Sequence, residues 1–195
     1  MSTRRTSLTR TTRETDIALS LCIDGSRQTA IDTGVGFFDH MLTALAFHAG
    51  FDLVLTCKGD LQVDAHHTVE DVGISLGRAL GELLADRSGI TRYGSAYVPM
   101  DEALGFCALD ISGRAYLVFD CDFAAPMVGA FDTQLCVEFF RAVAMNSGLT
   151  LHLRCLYGAN DHHKIEALFK AFGQALRQAV ARTADGATLS TKGVL

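Results

Sequence analysis

Only two prolines occur in 195 residues, and no stretch rich in proline, glycine and serine marks a linker, so no boundary divides the chain by composition. No apolar run approaches the roughly 18 residues of a membrane-spanning helix, and no membrane partner is expected. Basic residues are outnumbered, 17 Lys and Arg against 22 Asp and Glu, for a net charge of −5. That balance excludes a nucleic-acid binder that works by phosphate neutralisation. The six cysteines form no C-x-x-C pair and no zinc motif. They read as reduced thiols half-buried in strands, which fits a cytoplasmic enzyme. The opening MSTRRTSLTR lacks the apolar stretch of a secretory signal and is expected to form a frayed or edge-strand arm.

What the chain does have is a repeat. HHTVED at 66–71 and HHKIEA at 162–167 use four of the 7 histidines in one pattern, two adjacent histidines with a glutamate three residues after the second. At the same offset Val69 matches Ile165, Val72 matches Leu168, Leu76 matches Phe172, and GRAL at 77–80 matches GQAL at 173–176. With a two-residue shift, Gly50, Leu53 and Cys57 match Gly148, Leu151 and Cys155. The chain is therefore expected to be one domain over 1–195, built of two pseudo-repeats at about 1–91 and 92–195. Alternation makes ETDIALSLCID a strand, with RQTAID as its hairpin partner. GFFDHMLTALAFHAG carries a helical apolar stripe closed by Gly50, FDLVLTC is a strand, and a longer amphipathic helix starts at the first histidine pair. The second half repeats the order, with strands on either side of Pro99. The expected fold class is α+β: duplicated β-β-α-β-α half-domains, with a helical layer packed between two β-sheets.

Each helical residue turns about 100°. With His66 at 0°, His67 falls near 100° and Glu70 near 40°, so the glutamate lies between two diverging imidazoles. Each histidine of a pair then reaches a different ion, which favours two metal sites over one. His40, beside Asp39 in FFDHM, and His152, which interrupts LTLHL where a neutral structural histidine would need a partner, are further candidates. Six histidines and two glutamates divide into two sites of three histidines and one glutamate, leaving open positions on a six-coordinate ion. His48 is left over, either structural or in contact with substrate. Imidazole and carboxylate donors suit Mn, Fe(II), Co, Ni or Zn, and the hard carboxylate tilts the choice to manganese.

GVGFFDHML, HAGFDL, DAHHTVEDVGISLGRAL, RYGSAYVPMDEAL, DISGRAYLVFD, GANDHHKIEALFKAFGQAL and LSTKG, in that order, closely resemble the imidazoleglycerol-phosphate dehydratases of histidine biosynthesis, in their monofunctional form. The resemblance implies two manganese ions per active site, other divalent transition metals being possible, at subunit interfaces of a 24-subunit homo-oligomeric shell. By motif match the ligands are His40, His66, His67, Glu70, His152, His162, His163 and Glu166. Glu14 matches the family's substrate-binding glutamate, and Arg92, Arg114, Ser190 and Lys192 match its phosphate-handling residues. Lys170 fits the family pattern and is expected to line the pocket. The implied reaction removes water from D-erythro-imidazole glycerol phosphate to give imidazole acetol phosphate. A metal-bound imidazolate would expel the hydroxyl, and Glu14 would serve as acid/base. Two other readings of the same residues are a dinuclear metallohydrolase and a metal-storage shell.

Overall fold

The computed structural model describes residues 3–193. Polar–apolar alternation builds the first sheet from β1 (Arg5–Thr11), β2 (Thr15–Cys22), β3 (Thr29–Asp32) and β4 (Asp52–Gly59), in the order β1-β2-β4-β3. In β2 the residues Ile17, Leu19 and Leu21 face inward and are almost completely buried. Helices α1 (Gly36–Ala49) and α2 (His66–Leu84) cover that inner face. The second half supplies β5 (Tyr93–Met100), β6 (Ala103–Asp110), β7 (Tyr116–Asp120), a short β8–β9 hairpin (Met127–Val128 and Phe131–Asp132), α3 (Leu135–Ser147), β10 (Thr150–Tyr157) and α4 (Asp161–Ala179). Its sheet runs β5-β6-β10-β7. Counted within each half, the two sheets have the same strand order, and in both the third strand lies parallel to the last.

Four helices thus lie between two sheets in an α+β arrangement; the first half gains β1 over the expected order, and the second gains a fourth sheet strand and the β8–β9 hairpin. RQTAID supplies the expected strand, β3, but with another partner. It does not form a hairpin with β2: β3 pairs parallel to β4, because β2 is already flanked by β1 and β4. The hairpin partner of β2 is the N-terminal arm, β1, which forms the sheet edge. Pro99 does not interrupt its strand either. It sits within β5, an edge strand, where a missing N–H is tolerated, and the chain reverses at Asp101 and Glu102 instead. Of the six cysteines, all free, four are buried; Cys136 lies on α3 and Cys121 just beyond β7, rather than in strands.

The repeated glycines now have a packing reason. A Cβ on Gly77 would meet the Val143 carbonyl oxygen of α3 at 2.7 Å, and one on Gly173 would meet the Leu45 carbonyl oxygen of α1 at 2.5 Å. Each half's second helix therefore packs against the other half's first helix through a glycine. Gly50 and Gly148, at φ 78° and 73°, close α1 and α3 in the left-handed conformation. Phe38, Phe131, Phe139, Phe140, Phe169 and Phe172 fill the centre and are fully buried. Each contributes about 2–3 kcal/mol of apolar transfer. The buried residues of both halves join in a single cluster, so the N-termini of α2 and α4 are anchored on one core.

Candidate active site

Both histidine pairs open a helix, and local capping fixes where they start. On α4 the Asn160 side chain accepts the N–H of His162 at 2.9 Å and that of His163 at 3.4 Å. On α2 the cap residue is Ala65, which offers no side-chain acceptor, and Asp64 accepts the His66 N–H at 2.7 Å instead. The first histidine of each pair turns toward the glutamate four residues on. His162 Nε2 lies 3.0 Å from Glu166 Oε2, and His66 Nε2 lies 3.9 Å from Glu70 Oε2. The second histidine rotates away, with the rings of each pair steeply inclined at 83° and 78°. The two histidines of each pair thus reach different partners, as neighbours about 100° apart on a helix do.

His40, from the first turns of α1, completes the tightest group. Its Nε2 is 3.4 Å from Glu166 Oε2, and donor atoms of His40, His162 and Glu166 all lie within 4.8 Å of one another. Donor atoms about 3 Å apart are what one ion with bonds near 2.1 Å spans at right angles, so imidazole nitrogen and carboxylate oxygen here fit a divalent transition metal. Glu166 is only 6% exposed. Burial works to raise its pKa, but Lys170, whose Nζ sits 2.6 Å from Oε1, together with His162 and His40, holds it below the ordinary carboxylate range. Lys170 thus belongs to this cluster, with its other contact at the Met100 sulfur.

The second histidines are each held by a carboxylate from outside the motif. His67 Nδ1 bonds Asp60 at 3.1 Å, which keeps the ring's pKa above its ordinary value and turns Nε2 toward Glu14, 3.7 Å away. His163 Nδ1 bonds Glu102 at 2.7 Å and its pKa is likewise raised. The Glu102 carboxyl, which also accepts the N–H groups of Asn160 and Ala159, is pulled down to about 2. Glu14 and Glu102 occupy equivalent places, each immediately before the second strand of its sheet. A carboxylate on one ring nitrogen fixes the tautomer and leaves the other nitrogen for a ligand.

Arg92, Arg114, Ser190 and Lys192 line one open cavity of about 780 Å³ at the far end of α4. Arg92 is 8% exposed and adopts φ 73°. Its guanidinium is fixed by both oxygens of Asp110, at 2.7 and 3.1 Å, and donates to the Leu189 carbonyl of the C-terminal segment. Arg114 is more open, 3.8 Å from Asp110 and 70% exposed at its side chain. Two guanidinium groups, an ammonium and a hydroxyl on one concave surface are groups that can hold an oxyanion.

Two of the candidate residues stand apart. His152 alternates outward between the buried Leu151 and Leu153, and lies exposed on the outer face of its sheet, flanked by Ala108 and Val118. It needs no interior partner, and among the described residues it joins no group of potential metal ligands. His48 contacts Gln174 at 3.4 Å, and burial together with the Lys170 charge lowers its pKa. It lies in neither the cluster nor the cavity. Among the described residues only His40, His162 and Glu166 converge as potential ligands of one ion. Sequence reasoning did not single out Asp60, Glu102 and Asp110, the carboxylates that orient His67, His163 and Arg92. Their only signal was an acid at a strand end or turn.

The sequence profile of the family described as imidazoleglycerol-phosphate dehydratase matches residues 33–176. The chain is 58% identical over 193 residues to the imidazoleglycerol-phosphate dehydratase of Listeria welshimeri and 60% identical to that of Bacillus thuringiensis strain Al Hakam. Each match covers 98% of this chain and 100% of the relative. Among solved structures, the imidazoleglycerol-phosphate dehydratase of Staphylococcus aureus is similar with TM-score 0.84 and 44% identity, covering 92% of this chain and 99% of that one. The Pyrococcus furiosus enzyme, solved in complex with (S)-C348, is similar with TM-score 0.84 and 40% identity, covering 96% and 100%.

Proposed function

From the premise that this chain belongs to the imidazoleglycerol-phosphate dehydratase family, and is a hydro-lyase of histidine biosynthesis, we propose how its own residues carry out the dehydration. Membership in a dehydratase family leaves the metallohydrolase and storage-shell readings without support.

The observation that carries the proposal is a distance. The Arg92 backbone N–H bonds the Ala179 carbonyl at the end of α4, while Glu166 lies near its start. Thirteen residues at 1.5 Å put the oxyanion cavity and the histidine cluster roughly 20 Å apart. A substrate whose imidazole and phosphate are joined through three carbons and an ester oxygen does not span that gap. One chain therefore grips the ring and another grips the phosphate, so the enzyme works as a homo-oligomer with shared sites, in keeping with a 24-subunit shell. His152, on an outer sheet face, is then a ligand offered to another subunit.

His40, His66, His67, Glu70, His152, His162, His163 and Glu166 would hold two divalent cations, manganese by preference. When bound, such ions supply Lewis acidity that lowers the pKa of the substrate's imidazole N–H and favours loss of the adjoining hydroxyl. Arg92, Arg114, Ser190 and Lys192 hold the phosphate and so orient the carbon chain for elimination. Asp60 and Glu102 keep His67 and His163 in the tautomer that presents Nε2. Glu14 is the half-exposed carboxylate beside His67 that is not counted among the ligands. It removes the proton from the carbon next to the one that loses hydroxyl, and the resulting enol becomes the ketone product.

Glu14→Gln is expected to keep bound metal and assembly while losing most turnover. Metal analysis with a dehydration assay, after chelation and after readdition of Mn2+, tests both halves of the proposal. Full activity without bound metal would sink the metal role, and near-normal turnover of Glu14→Gln would remove Glu14 from proton transfer.

A further inference from the structure

The two motifs differ at their last residue, HHTVED against HHKIEA, and the structure gives that difference a consequence. Asp71 lies one helical turn beyond His67, on the same face of α2. It is 6% exposed, and the hydrogen bonds of its carboxylate go to the strands rather than to the candidate metal ligands. Its Oδ1 accepts Arg10 Nε at 3.0 Å and Nη2 at 2.7 Å, from β1, and its Oδ2 accepts the Thr15 hydroxyl at 2.5 Å, from β2. One buried carboxylate therefore clamps both strands of the hairpin whose tip is Thr12–Glu14. At that tip the Thr12 hydroxyl accepts the N–H groups of Glu14 and Thr15, and the Glu14 carbonyl accepts the Asp60 N–H at 3.0 Å.

The side chain at the tip is Glu14, 3.7 Å from His67 Nε2. His67 and Asp71 thus face the same hairpin, the first at its tip and the second about 5 Å deeper. In the other half Ala167 replaces Asp71, and the hairpin there is held by close contact: a Cβ on Gly105 of β6 would meet the Ala167 backbone at 2.7 Å. The glutamate of that hairpin, Glu102, has the simpler task of holding His163 Nδ1 and the helix-start N–H groups. The turn acid that faces the free nitrogen there is Asp101, 3.6 Å from His163 Nε2 and 74% exposed at its side chain, and among the described residues no buried ionic clamp like that of Asp71 ties its hairpin to the helix.

We propose that Asp71 is a positioning residue for the dehydration, acting through Glu14 by fixing the β1–β2 hairpin against α2. This rests on the reading of Glu14 as the proton-transfer group. Misplacement of a reacting group by about 1 Å lowers rate by as much as about 100-fold. Asp71→Asn keeps one acceptor for Thr15 but gives up the charge that Arg10 grips.

The test is a double-mutant cycle on the assembled, Mn2+-loaded enzyme, following kcat, KM, bound metal per chain and Tm for Asp71→Asn, Glu14→Gln and the pair. Asp71→Asn is expected to lower kcat by about 10- to 100-fold, with KM within about 3-fold and bound metal unchanged. In the Glu14→Gln background, where residual turnover remains measurable after a loss of about 100- to 10,000-fold, it adds less than about 2-fold. Thr15→Val, which leaves the Arg10–Asp71 pair intact, gives the same pattern with a smaller loss and covers failure of Asp71→Asn to assemble. A double variant showing the product of the two single losses, or loss of bound metal in Asp71→Asn, overturns the positioning role and leaves Glu14 standing. Near-normal turnover of Glu14→Gln overturns the Glu14 reading and this proposal with it.

Discussion

Lys170 and a bound cation should compete for the same carboxylate, which makes Lys170→Met a test of the cluster that does not depend on catalysis. Glu166 is 6% exposed, and its strongest partner is the Lys170 ammonium at 2.6 Å, ahead of His162 at 3.0 Å and His40 at 3.4 Å. Removing one member of a fully buried ion pair costs about 3–5 kcal/mol. Lys170 is one-fifth exposed at its side chain, so solvent already screens part of that attraction and about 2 kcal/mol is the better figure. For a chain of this size that lowers Tm by about 4–8 °C. The sign with pH follows from Glu166, whose depressed pKa contributes stability above the ordinary carboxylate range and loses it as pH falls through the folded value. In Lys170→Met burial is less opposed, the pKa rises, and the deficit is largest at neutral pH and shrinks on acidification. A divalent cation on Glu166 takes over the role of the ammonium, so saturating Mn2+ should reduce the deficit to less than about 2 °C. Thermal unfolding of both proteins, at one protein concentration, in chelator and in Mn2+, decides the matter. An equal deficit in both conditions, or none in chelator, refutes the assignment of Lys170 and the cation to one carboxylate.

The oxyanion cavity predicts a split between its two arginines. Arg114→Ala, removing a mostly exposed side chain, should raise KM by about 10-fold or more and leave Tm within about 1 °C. Arg92→Ala should raise KM and also lower Tm by several degrees, because Arg92 ties Asp110 to the Leu189 carbonyl; steady-state kinetics and melting curves separate the two. Away from the site, Asp24 accepts from Arg4 and Arg182, and Arg4 above all holds its carboxyl well below the usual range. Asp24→Asn should therefore lower Tm by about 2–4 °C at neutral pH, for a partly exposed network of about 1 kcal/mol. That gap is present above the ordinary carboxylate range and closes as pH falls through the depressed folded value, which melts across the acid range would reveal.

Some parts of this molecule were legible because they obey a local period. The inward leucines of β4 and β10, the stripes of α2 and α4, and the parting of each histidine pair all follow from two residues per pleat or 100° per helical residue. The repeated glycines at 77 and 173 were visible as a match, although their reason, the approach of α3 and α1, lies in another half of the chain. RQTAID was misread because adjacency in sequence favours a hairpin, whereas the place beside β2 was taken by β1, a strand with Leu8 as its one aliphatic residue. The orienting acids escaped for a different reason. Glu102 meets His163 across 61 residues and Arg92 meets Asp110 across 18, and no periodicity links such partners. His152 reads as a residue in need of an interior partner, whereas the alternation of LTLHL turns it outward, onto the exposed face of its sheet.

The two halves share a backbone plan but differ in what surrounds their histidines, and the difference can be traced to a few substitutions. Where the first half has Thr68, fully buried, the second has Lys164, whose ammonium bonds Asp161 and the Asp122 carbonyl. Asp161 in turn accepts the N–H groups of Ala124 and Ala125, so this pair secures the longer connection that carries the β8–β9 hairpin. Phe131 from that hairpin packs on Phe37, which meets the edge of the His162 ring. The second half thereby braces its first histidine from behind and closes a compact three-residue cluster with His40. The first half lacks that brace, and its His66 and Glu70 remain about half exposed and 3.9 Å apart. It has Asp71 and a clamped hairpin in exchange, which hold a carboxylate beside His67 instead of a wall behind His66. The differences at 68 and 71 against 164 and 167 thus leave one half with a compact group of two histidines and a glutamate, and the other with a glutamate on a clamped hairpin beside His67.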